Sequence, residues 1–220
     1  MRDVIRDLLT ATAIAGLVLA GCDGCSEKDK KQAEQGPAAG ETVTSEGGSL
    51  PSLESFSDID QDAARSREIF QSIGTVLKHP RCVNCHPAED QPLMGDRSRP
   101  HRPMVVRGKG GMGAPGMRCN TCHTNNNYHG VPGEAGWRMA PAEMAWEGKS
   151  LAEICRQIKD PERNGGKSLE QLAEHMAEDN LVAYGWNPPE QYEPAPGTHE
   201  RFGALARAWI DSGAHCPDAE

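Results

Sequence analysis

The sequence predicts a mostly α fold in which short helices are joined by long Gly/Pro-rich loops. Apolar residues recur at helical spacing in four segments, and no run alternates apolar and polar residues as a half-buried strand would. Gly and Pro supply 24 and 16 of the 220 residues, which favours long irregular connections. Only 5% of residues are aromatic, so the core would be thin unless a bound macrocycle supplied apolar bulk.

The N-terminal segment has the features of an export signal, predicted at residues 1–21. Arg2 and Arg6 precede an apolar run at residues 8–20, which is short for a membrane span and suits a signal peptide. The run ends in "LAGC", which resembles a bacterial lipobox and makes Cys22 the expected lipidation site. An ordinary secretory signal with an incidental cysteine is the alternative.

Residues 22–55 are expected to form a flexible tether. They are polar and contain too few apolar residues to offset the entropy of ordering. A lipid on Cys22 would hold the protein on the periplasmic side of a bacterial membrane. Asp23 favours the inner membrane, because it resembles a retention signal of enterobacterial lipoproteins. The folded domain is predicted at residues 56–220.

The first predicted helix lies in "SDIDQDAARSREIFQSIGTVLKHP". Its apolar face contains Ile69, Phe70, Ile73, Val76 and Leu77. Ser57 or Asp58 is the expected N-cap, and Pro80 is expected to end the helix just before Cys82. Residues 82–145 show little periodicity and are predicted to be irregular.

Three further helices are predicted after this irregular region. "GKSLAEICRQIKD" has a capping-box pattern at Ser150 and Glu153, and "KSLEQLAEHMAED" starts at Ser168 with Gln171 three positions on. "THERFGALARAWIDSG" forms the last helix, with Gly213 as its expected C′ residue. Its expected inward-facing residues are Phe202, Leu205, Trp209 and Ile210.

Two pentapeptides, "CVNCH" at residues 82–86 and "CNTCH" at residues 119–123, indicate the chemistry. Cys-x-x-Cys-His is the attachment pattern of c-type haem, in which both thiols bond to the porphyrin and the adjacent His binds iron. We therefore expect a c-type cytochrome with two covalent haems. The expected attachment residues are Cys82, Cys85, Cys119 and Cys122, and the expected proximal iron ligands are His86 and His123.

Zinc binding and disulfide bonding are the alternative uses of these paired cysteines. A zinc ribbon usually separates its two pairs by about 15–20 residues, whereas 33 residues lie between Cys85 and Cys119. Both alternatives also leave His86 and His123 without a role. The repeated His after each pair therefore favours haem.

Cys155 and Cys216 are expected to form a disulfide, because the export signal places the chain in an oxidising compartment. Cys155 lies in a predicted helix and Cys216 follows the last one. Their bond would clamp the C-terminal helix onto the domain. The alternative is two buried free thiols.

Residues 94–118, between the two pentapeptides, form a basic segment, although the chain has a net charge of −9. The acidic balance argues against a nucleic-acid partner. Two haems bring four propionates, and Arg pairs with carboxylates through two parallel hydrogen bonds. The propionate candidates are Arg97, Arg99, Arg102 and Arg107. A solvated charged loop is the alternative.

The iron ligands opposite the proximal histidines are expected to be His or Met. His101 is the first candidate, because the prolines of "RPHRP" stiffen its chain. His175 lies near Leu172 on a predicted helix and is the second, and Met144 is the third. The other available residues are Met94, Met104, Met139 and His129.

Several stretches together resemble a known family. "CVNCHPAEDQPLMGD", "RPHRPMVVRGKGGMGAPGMRCNTCH", "GVPG", "MAPAEMAW", "ICRQIKDPERNGGKSLEQLAEHM" and "YGWNPP" resemble the small cytochrome-like proteins called isoquinoline 1-oxidoreductase subunits, over roughly residues 65–217. The resemblance implies covalent haem at both pentapeptides and association with a molybdenum hydroxylase that oxidises N-heterocycles or aldehydes. This chain has no molybdopterin or iron–sulfur signature, so it is expected at most to accept that enzyme's electrons.

These features predict a membrane-tethered dihaem cytochrome that transfers single electrons from a dehydrogenase to a respiratory carrier. The expected partners are these redox proteins and the membrane, and we expect a carrier rather than an enzyme. The first alternative is a dihaem peroxidase, which needs an open or displaceable distal position. The second is a ligand sensor in which a gas replaces a weak distal Met.

Overall fold

Helices occupy 42% of the described residues and strands 6%, which confirms the mostly α class. The computed structural model describes residues 49–218. The predicted signal peptide, the lipidation site at Cys22 and the tether up to residue 48 lie outside the described residues. Among residues 49–218, every helix is too short or too polar to cross a bilayer.

The helices of the described chain follow one another with long irregular connections. The α-helices are α1 (Asp62–Leu77), α2 (Pro80–Val83), α3 (Leu151–Lys159), α4 (Leu169–Glu178), α5 (Asn180–Ala183) and α6 (His199–Asp211). Short 3-10 turns occupy Leu53–Phe56, Lys109–Gly111, Cys119–Thr121, Ala142–Met144 and Tyr184–Trp186. The largest gap between α-helices, from α2 to α3, contains both hairpins and the second pentapeptide.

Two small antiparallel hairpins stiffen this gap. Strand β1 (Leu93–Met94) pairs with β2 (Arg99–Pro100), and β3 (Gly113–Ala114) pairs with β4 (Met117–Arg118). Each strand is two residues long, so it leaves no alternating pattern in the sequence. The hairpins could therefore not be predicted from the sequence.

The predicted capping boxes are present at the starts of α3 and α4. The Ser150 hydroxyl accepts from the backbone N–H of Glu153, whose carboxylate accepts from the backbone N–H of Ser150. Ser168 and Gln171 form the same reciprocal pair. Each box satisfies N–H groups that have no partner within the helix.

The predicted start of α1 was wrong. Gln61, rather than Ser57 or Asp58, is the N-cap residue. Ser57 instead follows the preceding 3-10 turn, where its hydroxyl donates to the carbonyl of Glu54 at 2.8 Å. Ser57 therefore ends the 3-10 turn at Leu53–Phe56 and does not begin α1.

The main core lies between α1, α4 and α6. Phe70 of α1 packs against Trp209 of α6, with ring centroids 4.8 Å apart. Ser66 is fully buried and donates to the carbonyl of Trp209 at 3.0 Å. Gly203 lets α6 approach α4 closely, because a Cβ at this position would lie 2.8 Å from the Cα of Ala177.

The predicted inner face of α6 is largely confirmed. Phe202, Leu205 and Trp209 are buried, whereas Ile210 is only half-buried. Gly213 follows the C-cap residue with φ +100°, a left-handed backbone conformation that only Gly adopts without cost.

The predicted disulfide between Cys155 and Cys216 is present and joins α3 to the segment after α6. Cys155 is fully buried in the main core. Toward the other end of the described residues, Leu50 packs into the main core six positions before residue 56, the predicted start of the domain. Leu50 is buried, and its carbonyl accepts a hydrogen bond from Arg201 of α6 at 3.0 Å.

Candidate functional site

The first pentapeptide starts inside α2 and continues as a helical turn. Pro80 follows the end of α1 and also occupies the first turn of α2. Its fixed φ and missing N–H suit the start of a helix. The N–H of Cys85 donates to the carbonyl of Cys82 at 3.1 Å, and that of His86 to Val83 at 2.9 Å. One continuous turn therefore carries both thiols and the imidazole.

The second pentapeptide forms a similar turn directly after β4. The N–H groups of Cys122 and His123 both donate to the carbonyl of Cys119, at 3.2 and 2.9 Å. The N–H of Cys119 donates to the carbonyl of Met112 at 3.1 Å, which fixes the turn to the preceding loop. The two pentapeptides are thus alike in local structure as well as in sequence.

The His86 imidazole is held in one orientation by two contacts. Its Nδ1 lies 2.7 Å from the carbonyl oxygen of Met144, and its ring stacks on Trp146 with centroids 3.6 Å apart and planes 6° apart. A carbonyl oxygen can only accept, so Nδ1 carries the proton. The lone pair of Nε2 is then available to a metal.

The His123 imidazole has the same two contacts, made by different residues. Its Nδ1 donates to the carbonyl of Pro132 at 2.6 Å, and its ring stacks on Trp137 at a centroid distance of 4.1 Å. Metal-binding histidines typically donate their second ring N–H in this way, which fixes the tautomer and the ring orientation.

Both imidazoles are neutral at ordinary pH in the protein alone. Burial lowers the pKa of His86 to about 3, although the hydrogen bond to Met144 acts in the opposite direction. Burial also lowers the pKa of His123, again against a hydrogen bond that raises it. Neutral imidazole is the form that binds a metal ion.

The four motif cysteines are free thiols: Cys82, Cys85, Cys119 and Cys122. Burial raises the pKa of Cys82 to about 12 and that of Cys85 to about 11. Both thiols of the first pentapeptide therefore stay protonated near neutral pH in the protein alone. Protonated thiols are poor nucleophiles. Their addition to a carbon–carbon double bond would transfer the thiol hydrogen to carbon.

The two pentapeptides lie in different hydrophobic clusters. Cys82 packs at the edge of the main core, which includes Trp146. Cys119 and Trp137 belong to a second, smaller cluster. Across residues 49–218, no three His, Cys, Asp or Glu side chains gather into a group that could hold a metal ion. The arrangement is one of two separate sites, each with its own CxxC pair.

The two tryptophans beside the histidines share an unusual feature. The indole N–H groups of Trp137 and Trp146 are buried and have no acceptor within the described chain. The remaining tryptophans differ, since Trp186 donates to the carbonyl of Pro196 at 3.1 Å and Trp209 to a carbonyl of the C-terminal segment at 3.0 Å. Buried indole N–H groups usually find a partner, so a polar acceptor supplied by a bound group would fit here.

The first distal candidate, His101, faces His123 of the second pentapeptide. Its ring centroid lies 6.1 Å from that of His123, with the two planes at 45°. The Nδ1 of His101 donates to the carbonyl of Pro103 at 3.0 Å. Pro103 therefore orients the His101 ring through its carbonyl, in addition to restricting the backbone beside it.

The other two distal candidates occupy different positions. His175 lies on α4, where its Nδ1 is hydrogen-bonded to the carboxylate of Asp179. Met144 is buried, and its carbonyl lies at the Nδ1 edge of His86. The backbone carbonyl of Met144 therefore orients His86.

The basic segment divides into a buried and an exposed part. Arg107 is buried and donates to the carbonyls of Pro87 and Glu89, at 3.3 and 3.2 Å, while pairing with Asp90 at 3.3 Å. It clamps the loop after the first pentapeptide and is largely committed to protein partners. The other three propionate candidates, Arg97, Arg99 and Arg102, are exposed, and none forms an ion pair within residues 49–218.

Sequence reasoning missed the residues that orient the histidines. The acceptors for His86 and His123 are backbone carbonyls, which any residue could supply, so no side-chain signal marks them. Trp137 and Trp146 were detectable only as two large aromatics in a chain with few of them. Arg81 was also missed, although it precedes Cys82. Its buried side chain pairs with Asp96, the one acid of the basic segment, at 2.7 Å.

Comparison with known proteins yields no relative. No family model matches the chain, and neither does any curated protein or solved structure. The resemblance to the isoquinoline 1-oxidoreductase subunits stays a prediction from the quoted motifs. Function is therefore argued from the geometry of the two pentapeptides.

Proposed function

We propose that this chain is a dihaem c-type cytochrome that transfers single electrons between redox proteins. One observation carries the proposal: the chain builds the same arrangement twice. Each CxxCH turn presents two thiols and an imidazole whose Nδ1–H is bound to a carbonyl and whose ring stacks on a buried tryptophan. A chance CxxCH sequence would have no reason to acquire these contacts in duplicate.

The residues fit haem attachment chemically. Each thiol adds across one vinyl group, so that sulfur bonds to one carbon and the thiol hydrogen passes to the other. The addition releases no atom and consumes no oxidant. Cys82 and Cys85 would hold the first haem and Cys119 and Cys122 the second, with His86 and His123 on iron. When bound, haem iron supplies reversible one-electron chemistry.

The surrounding residues would keep each imidazole fixed during electron transfer. The carbonyls of Met144 and Pro132 hold Nδ1, and the stacked tryptophans limit rotation of each ring. The unpartnered indole N–H groups of Trp137 and Trp146 also fit, because haem propionates offer carboxylate acceptors. Arg97, Arg99 and Arg102 have exposed guanidinium groups that could pair with the same carboxylates.

We place the protein on the periplasmic side of a bacterial membrane, held by lipid on Cys22. Its electron donor would be a dehydrogenase of the molybdenum hydroxylase type, and its acceptor a respiratory carrier. Replacing Cys22 by Ser should move the protein from the membrane fraction to the soluble periplasm, whereas the neighbouring Cys25→Ser should not. Wild-type protein in the soluble fraction would contradict the anchor.

The attachment sites can be tested one at a time. The double variant Cys82→Ala/Cys85→Ala should carry one covalent haem, as should Cys119→Ala/Cys122→Ala, because each loses both thioether bonds of one site. Denaturing gels stained for haem and intact-protein mass measure the result, with Cys25→Ser as the control that keeps both. If either double variant retained the wild-type haem content, its pentapeptide would not be an attachment site.

A further inference from the structure

His101 and His123 face each other at the separation that one metal ion requires. Metal–imidazole bonds of about 2 Å, together with the radii of two imidazole rings, put the ring centres about 6 Å apart across a metal. The observed centroid distance is 6.1 Å. Rings in direct stacking contact lie far closer, as in the 3.6 Å pair of His86 and Trp146. The gap between the two histidines therefore matches a bridging atom.

Both rings of this pair also present the same nitrogen. Nδ1 of His123 donates to Pro132, and Nδ1 of His101 donates to Pro103. Because carbonyl oxygens cannot donate, each ring is held in the tautomer with a free lone pair at Nε2. Two imidazoles with matching tautomers are what a bis-histidine metal centre needs.

His175 is arranged in a comparable way near the first pentapeptide. Its Nδ1 is bound to the Asp179 carboxylate one turn later on α4, which again leaves Nε2 for a metal. Leu172 of α4 belongs to the same hydrophobic cluster as Met144 and Trp146. His175 follows Leu172 by one turn of α4, so the helix that carries it packs on the same core as the residues that orient His86.

We propose that His101 and His123 are the two axial ligands of one iron, and that His86 and His175 are those of the other. The pairing rests on the proposed dihaem function and goes beyond it by naming the ligand set of each haem. With histidine on both axial positions, neither iron offers the open position that a peroxidase or a gas sensor needs. Both centres would be low-spin electron carriers.

The two centres differ in what holds the distal imidazole. His175 donates to a carboxylate, whereas His101 donates to a neutral carbonyl. A carboxylate partner increases the basicity of a ligating imidazole and so stabilises the oxidised iron more strongly. Asp179 is therefore a positioning residue, and the haem ligated by His86 and His175 should have the lower reduction potential of the two.

The test uses the purified holoprotein with His101→Ala, His175→Ala and the double variant. Haem content is measured first by intact mass, and spin state is then measured by EPR, with carbon monoxide binding to the reduced protein. Wild type should be fully low-spin and bind no carbon monoxide. Each single variant should gain one high-spin iron and bind one equivalent, and the double variant two. Added imidazole should restore the low-spin signal.

His215→Ala is the matched control, because His215 is an exposed histidine in the segment after α6. It should leave both spectra unchanged. If a His→Ala variant fails to fold, the His→Met variant at the same position keeps the test open, since it should give the charge-transfer band of a methionine–iron bond at one haem.

The outcomes separate the two proposals. Protein without covalent haem would overturn the dihaem function itself. Protein with two haems that stay low-spin in both single variants would overturn only the ligand pairing. Asp179→Asn should raise one of the two reduction potentials and leave the other in place, and an unchanged titration would refute the role given to Asp179.

Discussion

The disulfide between Cys155 and Cys216 makes a quantitative prediction about stability. It closes a loop with a sequence separation of 61 residues and joins buried α3 to the segment that follows α6. Replacing both cysteines by Ala removes the cross-link without leaving a thiol that could compete with the cysteines of the two pentapeptides. The double replacement is therefore a cleaner perturbation than either single one.

The magnitude follows from the loop length. In the chain-entropy model, a cross-link across about 61 residues lowers the entropy of the unfolded chain enough to stabilise the fold by about 4 kcal/mol. For a domain of this size, each kcal/mol corresponds to about 2–4 °C in Tm. We therefore expect Cys155→Ala/Cys216→Ala to lower Tm by about 8–16 °C.

Circular dichroism during urea and thermal unfolding of the holoprotein measures this loss. Wild-type protein treated with a thiol reductant is the matched control, because reduction opens the disulfide but not a thioether, and it should lose the same stability. A change below about 1 kcal/mol in both samples would refute the reasoning, since the bond would then not restrain the unfolded chain.

Two further perturbations test the packing around the site. Gly203→Ala should lower the free energy of urea unfolding by about 1–3 kcal/mol, because the added Cβ would overlap Ala177. Gly116→Ala is the control, because its Cβ would lie in open space and should cause no measurable loss. Equal losses in the two variants would contradict the close approach of α4 and α6. Trp146→Ala should perturb the EPR signal of the haem on His86 alone, and Trp137→Ala that of the haem on His123 alone; a change in both signals from either variant would contradict two separate sites.

The helices were predictable where their signals are local. The capping boxes at Ser150 and Ser168 and the left-handed Gly213 depend on residues a few positions apart, and all are present. The start of α1 was not predictable, because Ser57 has a cap-like side chain but lies beside a separate 3-10 turn. Tertiary packing of Leu50 likewise extends the domain beyond the compositional boundary.

The residues of the candidate site also differ in whether their sequence signal is local. The CxxCH residues could be selected as candidates because five consecutive positions carry the whole attachment pattern, and their bonding to haem stays a prediction. The residues that orient His86 lie 58 or more positions away and act through a carbonyl and an aromatic face. His101 was ranked first for its flanking prolines, but only the fold shows that it faces His123. Its role on iron stays a prediction.

The central claim is that this chain carries two covalent haems, and the intact mass of the denatured wild-type protein tests it most directly. The protein would be produced in a bacterial host that matures c-type cytochromes, and its mass compared with that of the processed polypeptide carrying the proposed lipid on Cys22. We predict an excess of two complete haems, because thioether formation loses no atoms, less the two hydrogens removed by the disulfide. An excess of one haem or none would contradict the account.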